Sequence, residues 1–296
     1  MRLTRPSPRF LSDRLPDRLV LARRFKRAFG RPLNLRDPQT FNEKLLWLML
    51  YYRTPLVTRL ADKYEVRGYV AERVGSERLN ELYGVWDRVS DIDFDTLPDA
   101  FALKVNWGWG ANVFCPRRSE LDVPKTKERL AAWMRRSHYW SAREWCYKNI
   151  RPRIICERLL TDDRGGTPPD YKFFCFGGEP RFVKAHTDRF GQHGRGLFDL
   201  DWQTPPFGYG PPSTGQPIPR PDNLDDMLAC ARSLSRGFPF VRVDLYSVAG
   251  RTIFGEMTWH PSAGMGRFFP DRYNKYWGDE LRLPAKTRSR LSRARA

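Results

Sequence analysis

The stretch FVRVDLYSVAGRTIFGEMTW, residues 240–259, decides how the rest of the chain is read. Apolar and polar residues alternate on either side of Val248-Ala249-Gly250, the pattern of a β-hairpin. Alternate side chains of a strand share a face, so Val241, Val243 and Leu245 point into a core while Arg242 and Asp244 point the other way. On the returning strand Glu256 and Thr258 share a face. With Ser247 paired to Ile253 across a five-residue loop, Asp244 stands directly opposite Glu256. Two facing carboxylates repel and weaken a sheet unless a cation or a proton lies between them. Mg²⁺ suits such a pair, because it takes one or two carboxylates and completes its octahedron with phosphate oxygens and water. A solvated sheet face with a salt bridge from Asp244 to Arg242 suits the same spacing, and spacing alone leaves both readings open.

Upstream, ALKVNWGWGANVF (residues 102–114) raises a similar choice. A strand that ends in Lys104 and runs on through Gly108 and Gly110 places an ammonium and several backbone N–H groups where a polyphosphate binds. Glycines set between Trp107 and Trp109 equally make a tight hairpin packed by aromatic rings. Around these two stretches the chain reads as helices over 41–52 and 56–74, a short apolar segment at 83–86, and a strand over 101–105 with its return from Phe114. Helices over 126–137 and 142–149, a β-rich run from Arg153, a hairpin over 170–187, a Pro/Gly-rich loop at 205–221 and a helix over 224–235 follow. Helices first and antiparallel hairpins later point to an α+β architecture with two lobes.

Composition narrows the function classes. The 296 residues are long enough for a large core, and 41% hydrophobic content excludes general disorder. Five scattered cysteines without a Cys-x-x-Cys pair disfavour a disulfide framework and a structural zinc site, which predicts a reducing compartment. No apolar run is long enough to span a membrane and no signal-peptide pattern is present, so a cytoplasmic protein is expected.

The net charge of +18 sits mostly at the ends: residues 1–31 hold ten basic side chains against Asp13 and Asp17, a net +8, and residues 285–296 hold five and no acid, leaving +5 for the middle. Leu15, Leu19, Ala22, Phe25 and Phe29 recur at helical spacing among Arg18, Arg23, Arg24 and Arg27. That basic amphipathic helix suits either an anionic membrane surface or, the slightly favoured reading, docking on its own domain. No nucleic-acid partner is expected, because helix-turn-helix, zinc-finger and RNA-recognition signals are absent.

Taken in order, FNEKLLWL, ADKYEVRGYV, LPDAFALKVNWGWGAN, REWCYKNIRPRIICERLL, DYKFFCFGGEPRFV, the DLDW of residues 199–202, GFPFVRVDLY and FGEMTWHPSAG resemble the TupA-like ATP-grasp family over residues 41–284. The family is associated with teichuronopeptide and other cell-surface polysaccharide synthesis. The resemblance implies an ATP-grasp fold of two α+β lobes whose antiparallel sheets enclose a nucleotide site. It divides the chain into a basic N-terminal extension (1–40), a helical segment (41–98), a lid lobe (about 99–155), a core lobe (about 156–284) and a basic tail (285–296).

It also implies roles. Lys63, on a helix before the nucleotide domain, and Lys104 reach the phosphates of ATP, joined in the loop by Asn106, Gly108, Gly110 and Asn112. Glu157 sits in a hinge that reads adenine and ribose. Arg242 steadies the transferring phosphoryl group, and Asp244 and Glu256 hold Mg²⁺, with Thr258 in the third metal position where an Asn is common. The family pattern reads closer to Lys-Cys-Asn-His-Gly-Ser-Gly-Gly-Asn, so Trp107, Trp109 and Ala111 are departures.

The implied activity is ATP-dependent carboxylate–amine ligation through an acylphosphate, on a carboxylate-bearing sugar or polymer acceptor with an amine donor. The alternatives are a glycosyltransferase of the same pathways, or a degenerate scaffold whose basic ends meet the cytoplasmic membrane face or polysaccharide assembly enzymes. For the acceptor carboxylate, Lys172 is the leading candidate among Lys172, Arg153, Lys148, His186, Asp188 and Arg189.

Overall fold

A computed structural model describes residues 15–162, 165–187 and 194–285. The first helix, α1 (Asp17–Phe29), buries Val20, Leu21 and Phe25, and Leu21 and Phe25 pack on Leu46 and Met49 of α2 (Phe41–Tyr51). The buried stripe is offset from the one expected, since Leu19 is 48% exposed. The helix thus docks on its own domain. Thr40 and Glu43 form a reciprocal capping box that starts α2, and Asn42 Nδ2 ties its first turn to the carbonyl oxygens of Gly264 (2.8 Å) and Gly266 (2.9 Å).

The single helix expected over 56–74 is two: α3 (Pro55–Ala61) and α4 (Val66–Val74). Asp62 breaks it. Its Oδ1 accepts from the backbone N–H of Tyr64 (2.8 Å) and Glu65 (3.2 Å), an alternative to the helical ladder that short acidic side chains offer. Lys63 therefore lies on a turn, not on the helix its role implied.

The lid sheet contains β1 (Leu82–Trp86), β2 (Phe101–Val105), β3 (Asn112–Cys115) and β4 (Ile154–Arg158), antiparallel in the order β1-β4-β2-β3. Phe101, Leu103, Val113, Cys115, Ile154 and Cys156 form its apolar face with Leu130 of α5 (Val123–Met134). The lid lobe begins well before the boundary expected at 99 and continues past 155. The reason is that β1 pairs with β4, and Ile92, Phe94 and Leu97 fill the same core. Residues 142–149 are not one helix either: α6 (His138–Ala142) ends at Arg143 in the left-handed region, φ 64°, before a 3₁₀ turn at Trp145–Tyr147.

The core sheet holds β5 (Asp170–Phe176), β6 (Glu179–Thr187) and β7 (Gly194–Phe198), followed, after the short β8 (Gly208–Tyr209), by β9 (Phe240–Val248) and β10 (Arg251–Thr258). Its order is β10-β9-β5-β6-β7. One face, with Phe173, Val183, Val241 and Val243, packs on α4 and on α7 (Leu224–Ser235). The other face is apolar at one end, where Phe174, Phe176 and Phe240 meet Phe41 and Trp277 of α8 (Arg272–Glu280). It turns polar further along at Lys172, Arg242 and Asp244. The sequence reading missed α8, β7, β8 and the strand β11 (Phe268–Phe269) that pairs with β8. Among the described residues no helix is long and apolar enough to cross a membrane.

The β9–β10 hairpin turns on Ala249 (φ 47°) and Gly250 (φ 73°), a two-residue loop of the kind favoured by strand twist. Ser247 accordingly pairs with Thr252 and not with Ile253. Continued unbroken, that register would set Glu256 beside Val243, facing the apolar core. A bulge between Phe254 and Glu256 slips it by one residue, so Glu256 does stand opposite Asp244 while Phe254 and Met257 both stay buried. Gly255 is the extra residue, and a Cβ there would lie 2.9 Å from the Asp244 carbonyl oxygen and 3.0 Å from Tyr246 Cε2. Gly255→Val is expected to lower the unfolding free energy by about 1–3 kcal/mol through overpacking, measured by urea denaturation.

Candidate active site

Between the lid sheet and the core sheet lies a cavity of about 780 Å³. Strand alternation supplies the lid wall: the residues between those of the apolar core, Ala102, Lys104, Asn112, Phe114 and Glu157, all line it. Lys104 Nζ donates to Glu157 Oε2 at 2.6 Å, and the Arg67 guanidinium reaches Glu157 Oε1 at 3.1 Å. Glu157 pairs with Ala102 in the middle of the lid sheet, so it belongs to the lid wall and not to a hinge at the start of the core lobe.

The core wall is a row set by register. Lys172 of β5 pairs with Asp244 of β9, which pairs with Glu256 of β10. Lys172 Nζ donates to Asp244 Oδ2 (2.6 Å) and contacts Asp170 Oδ2 (2.8 Å). Arg242 grips Asp244 through two nitrogens, each at 2.6 Å, and its Nη2 also reaches Glu256 Oε1 at 3.3 Å. Lys63 joins the walls: its ammonium donates to the Gly108 carbonyl of the lid loop at 2.5 Å and lies 3.5 Å from Glu256 Oε2. Three acids, Asp170, Asp244 and Glu256, thus meet three bases.

The charges shift in opposite directions. Burial raises Asp244 above the ordinary carboxylate range, an effect that Arg242 and Lys172 only partly offset. Burial also acts to raise Glu256, but Lys63, Arg242 and Lys172 outweigh it and hold this carboxyl down to about 2.

Two sequence candidates are not brought to the cavity. Asn106 is fully buried, with Nδ2 donating to Asp62 Oδ2 (2.7 Å) and the Arg151 carbonyl (3.0 Å), and Oδ1 accepting from the Arg153 backbone N–H (2.8 Å). It knots the base of the loop and has no polar atom left for a nucleotide. Thr258 Oγ1 donates to Glu256 Oε1 and accepts from Arg242 Nη2, both at 3.0 Å, and lines no part of the cavity. Of the acceptor candidates, Arg153 pairs with Glu65 (2.6 Å) and Lys148 lies over the Tyr139 ring, whereas Lys172 lines the cavity. Asp188 and Arg189 lie outside the described residues.

Lys63, Lys104, Gly108, Gly110, Asn112, Glu157, Lys172, Arg242, Asp244 and Glu256 do converge there. Sequence reasoning missed Arg67 and Asp170. Each carried a signal, since Arg67 follows Lys63 by four residues and Asp170 shares the strand face of Lys172.

The donor chemistry fits one Mg²⁺. Asp244 and Glu256 present hard oxygens from adjacent strands into a cavity large enough for a nucleotide. The hydroxyl of Thr258 lines no part of the cavity and does not add a third ligand.

The tryptophans of the loop divide the two readings between them. Trp107 is 6% exposed and packs with Val105 and Ala111, whereas Trp109 is 79% exposed and stands in the cavity wall. Gly108 between them has φ +62°, and a Cβ there would fall 2.6 Å from the His138 ring.

Two α+β lobes closing on a cavity lined by paired lysines and paired carboxylates define an ATP-grasp protein. The chain belongs to the TupA-like ATP-grasp family, whose pattern matches residues 43–282. Among solved structures it resembles the ATP-grasp ligase PsnB complexed with a phosphomimetic variant of a minimal precursor, Mg and ADP, at 12% identity over 70% of this chain and 53% of that one, TM-score 0.42. It also resembles an L-amino acid ligase from Bacillus licheniformis (12% identity, 86% of this chain and 56% of that one, TM-score 0.46). A D-alanine–D-alanine ligase from Bacillus anthracis is similar at 15% identity over 67% of this chain and 56% of that one, TM-score 0.36. The chain spans little more than half the length of these structures. No curated protein matches it.

Two outcomes are expected. Trp107→Ala should cost about 3–5 kcal/mol of stability and Trp109→Ser less than about 0.5, compared by urea denaturation. Because the folded-state pKa of Glu256 is depressed, its contribution to stability is complete above about 4.5 and is lost as pH falls toward about 2. The stability gap between wild type and Glu256→Gln, measured across an acid titration, should hold steady near neutrality and close below pH about 4.5.

Proposed function

We propose that this chain is an ATP-dependent carboxylate–amine ligase acting on a cell-surface polysaccharide or its precursor. The observation that carries the reading is the position of Lys63, bonded to the lid loop at Gly108 and placed against Glu256 of the core wall. One cation thereby marks where lid, phosphates and acidic row come together. Lys104 on the opposite wall supplies a second.

In this reading Lys63, Lys104 and the loop's backbone N–H groups hold the triphosphate of ATP. Asp244 and Glu256 would hold Mg²⁺, which neutralises charge on the phosphate oxygens when bound. A carboxylate oxygen of the acceptor attacks the γ-phosphorus and the bond to ADP breaks, giving an acylphosphate and ADP. The amine nitrogen then attacks the acyl carbon, inorganic phosphate leaves with the C–O bonding pair, and the ammonium proton passes to solvent. Arg242 and Lys172 face the transferring group and offset negative charge that builds on it. No protein nucleophile is needed.

The acceptor carboxylate is assigned to the side of the site beyond Lys172. Lys184 pairs with Lys172 across β5 and β6 and lines a neighbouring cavity of about 290 Å³ with Arg195. Burial, then repulsion from Arg195, Arg242 and Lys172, lowers the Lys184 ammonium to about 8. Among the described residues the Lys184 ammonium meets the carbonyl oxygens of Tyr209 (2.6 Å) and Pro211 (3.3 Å), and a carboxylated sugar would bring it an anion.

Nucleotide binding measured with and without Mg²⁺ tests the site. Asp244→Asn and Glu256→Gln should each remove most of the Mg²⁺-dependent gain in ATP affinity. Unchanged metal-dependent affinity in both variants would overturn the assignment. Phosphate release from ATP that requires both a uronate and an amine would identify the ligase reaction, and turnover of a nucleotide sugar without ATP would refute it.

A further inference from the structure

Behind the lid loop three metal-binding side chains converge in the protein interior, with His138 beside one of them. His138 begins α6, Glu144 and Cys146 lie in the segment that follows, and His260 comes two residues after β10 ends. Glu144, Cys146 and His260 are buried, and ligand atoms from these three all lie within 4.8 Å of one another. The His138 side chain is 9% exposed.

The nitrogen–oxygen spacings are too long for good hydrogen bonds and suit chelation. Cys146 Sγ lies 3.9 Å from His260 Nδ1, His260 Nδ1 lies 3.9 Å from Glu144 Oε1, and His138 Nε2 lies 3.5 Å from Glu144 Oε2. Nitrogen–oxygen hydrogen bonds close to about 2.7–3.2 Å. Ligands around a tetrahedral Zn²⁺ with bonds of about 2.0–2.3 Å stand about 3.3–3.8 Å apart. His138 Nε2 is buried without a hydrogen-bond partner. A buried carboxylate held only by long contacts to two histidines gains from a cation that takes it up.

We propose that Glu144, Cys146 and His260 form a three-ligand protein site for a borderline divalent ion of the Zn²⁺ class. The charges close: one neutral imidazole, one thiolate and one carboxylate balance a 2+ ion, so the occupied site is neutral in the interior. Binding displaces the thiol proton of Cys146 to solvent. Three ligands come from protein, and the fourth position of a tetrahedral centre is left to water. The site fastens the segment after α6 to the end of β10. His138, 3.5 Å from Glu144, packs against Gly108 and stacks with Trp107 at 6.0 Å, which links the site to the base of the nucleotide loop.

The test is Co²⁺ titration of the metal-free full chain. One equivalent should bind with a near-UV thiolate-to-cobalt charge-transfer band and the strong visible bands of tetrahedral cobalt, and Zn²⁺ should displace it and raise Tm. Cys146→Ser, shown folded by circular dichroism, should lose the charge-transfer band, and Cys230→Ser should keep it. His260→Gln should weaken Co²⁺ binding by at least about tenfold. Absence of a thiolate band in folded wild type, or its survival in Cys146→Ser, would overturn the site. Because the readout needs no nucleotide, its failure leaves the ligase reading standing, and failure of ATP binding leaves this site standing.

Discussion

Two carboxylates placed side by side on neighbouring strands repel, and the molecule is arranged around containing that repulsion. Asp244 is 2% exposed, where an uncompensated charge would cost several kcal/mol. Arg242 answers it with two short bonds from the same strand and Lys172 from the next, while Lys63 reaches Glu256 from outside the sheet. Each cation comes from a different stretch of chain. The segment before the lid, the first hairpin and the second hairpin must all be in place before the row is neutral, which makes the site and the core lobe one cooperative unit.

The wall that carries these charges is the continuation of an apolar face. Along β5 and β9 the same set of alternate positions runs from Phe176 and Phe240, packed on Phe41 and Trp277, to Lys172 and Asp244. The aromatic end fixes the sheet against α2 and α8, so the charged end is held by rigid strands and not by loops. On the lid side the same economy holds: Leu103 and Lys104 are neighbours, one locked in the lid core and the other projecting into the cavity.

Much of this was legible in the chain. Alternation alone put Arg242 and Asp244 on one face and Lys104 at the end of its strand, and the order of motifs pointed to the family that residues 43–282 match. The pairing of Asp244 with Glu256 was reached through a register that does not occur: a five-residue loop and an unbroken ladder happen to give the same partner as a two-residue turn plus a bulge. Bulges hide in sequence because a glycine in a strand has several explanations. The break at Asp62 was hidden because periodicity runs straight through it, and only the side chain's competition for backbone N–H groups interrupts the helix. Asn106 was misplaced for a related reason: its residue type suits a phosphate loop, but tertiary partners 44 to 47 positions away claim its amide.

The tie from Lys63 to both walls has a consequence for how an anion gains access. The ammonium already rests on a carbonyl and a carboxylate, so a phosphate approaching it does not meet a bare charge. It must outbid existing partners, and each contact it takes from Gly108 leaves the lid backbone free to shift. Occupancy and loop position are therefore exchanged against each other at a single nitrogen atom.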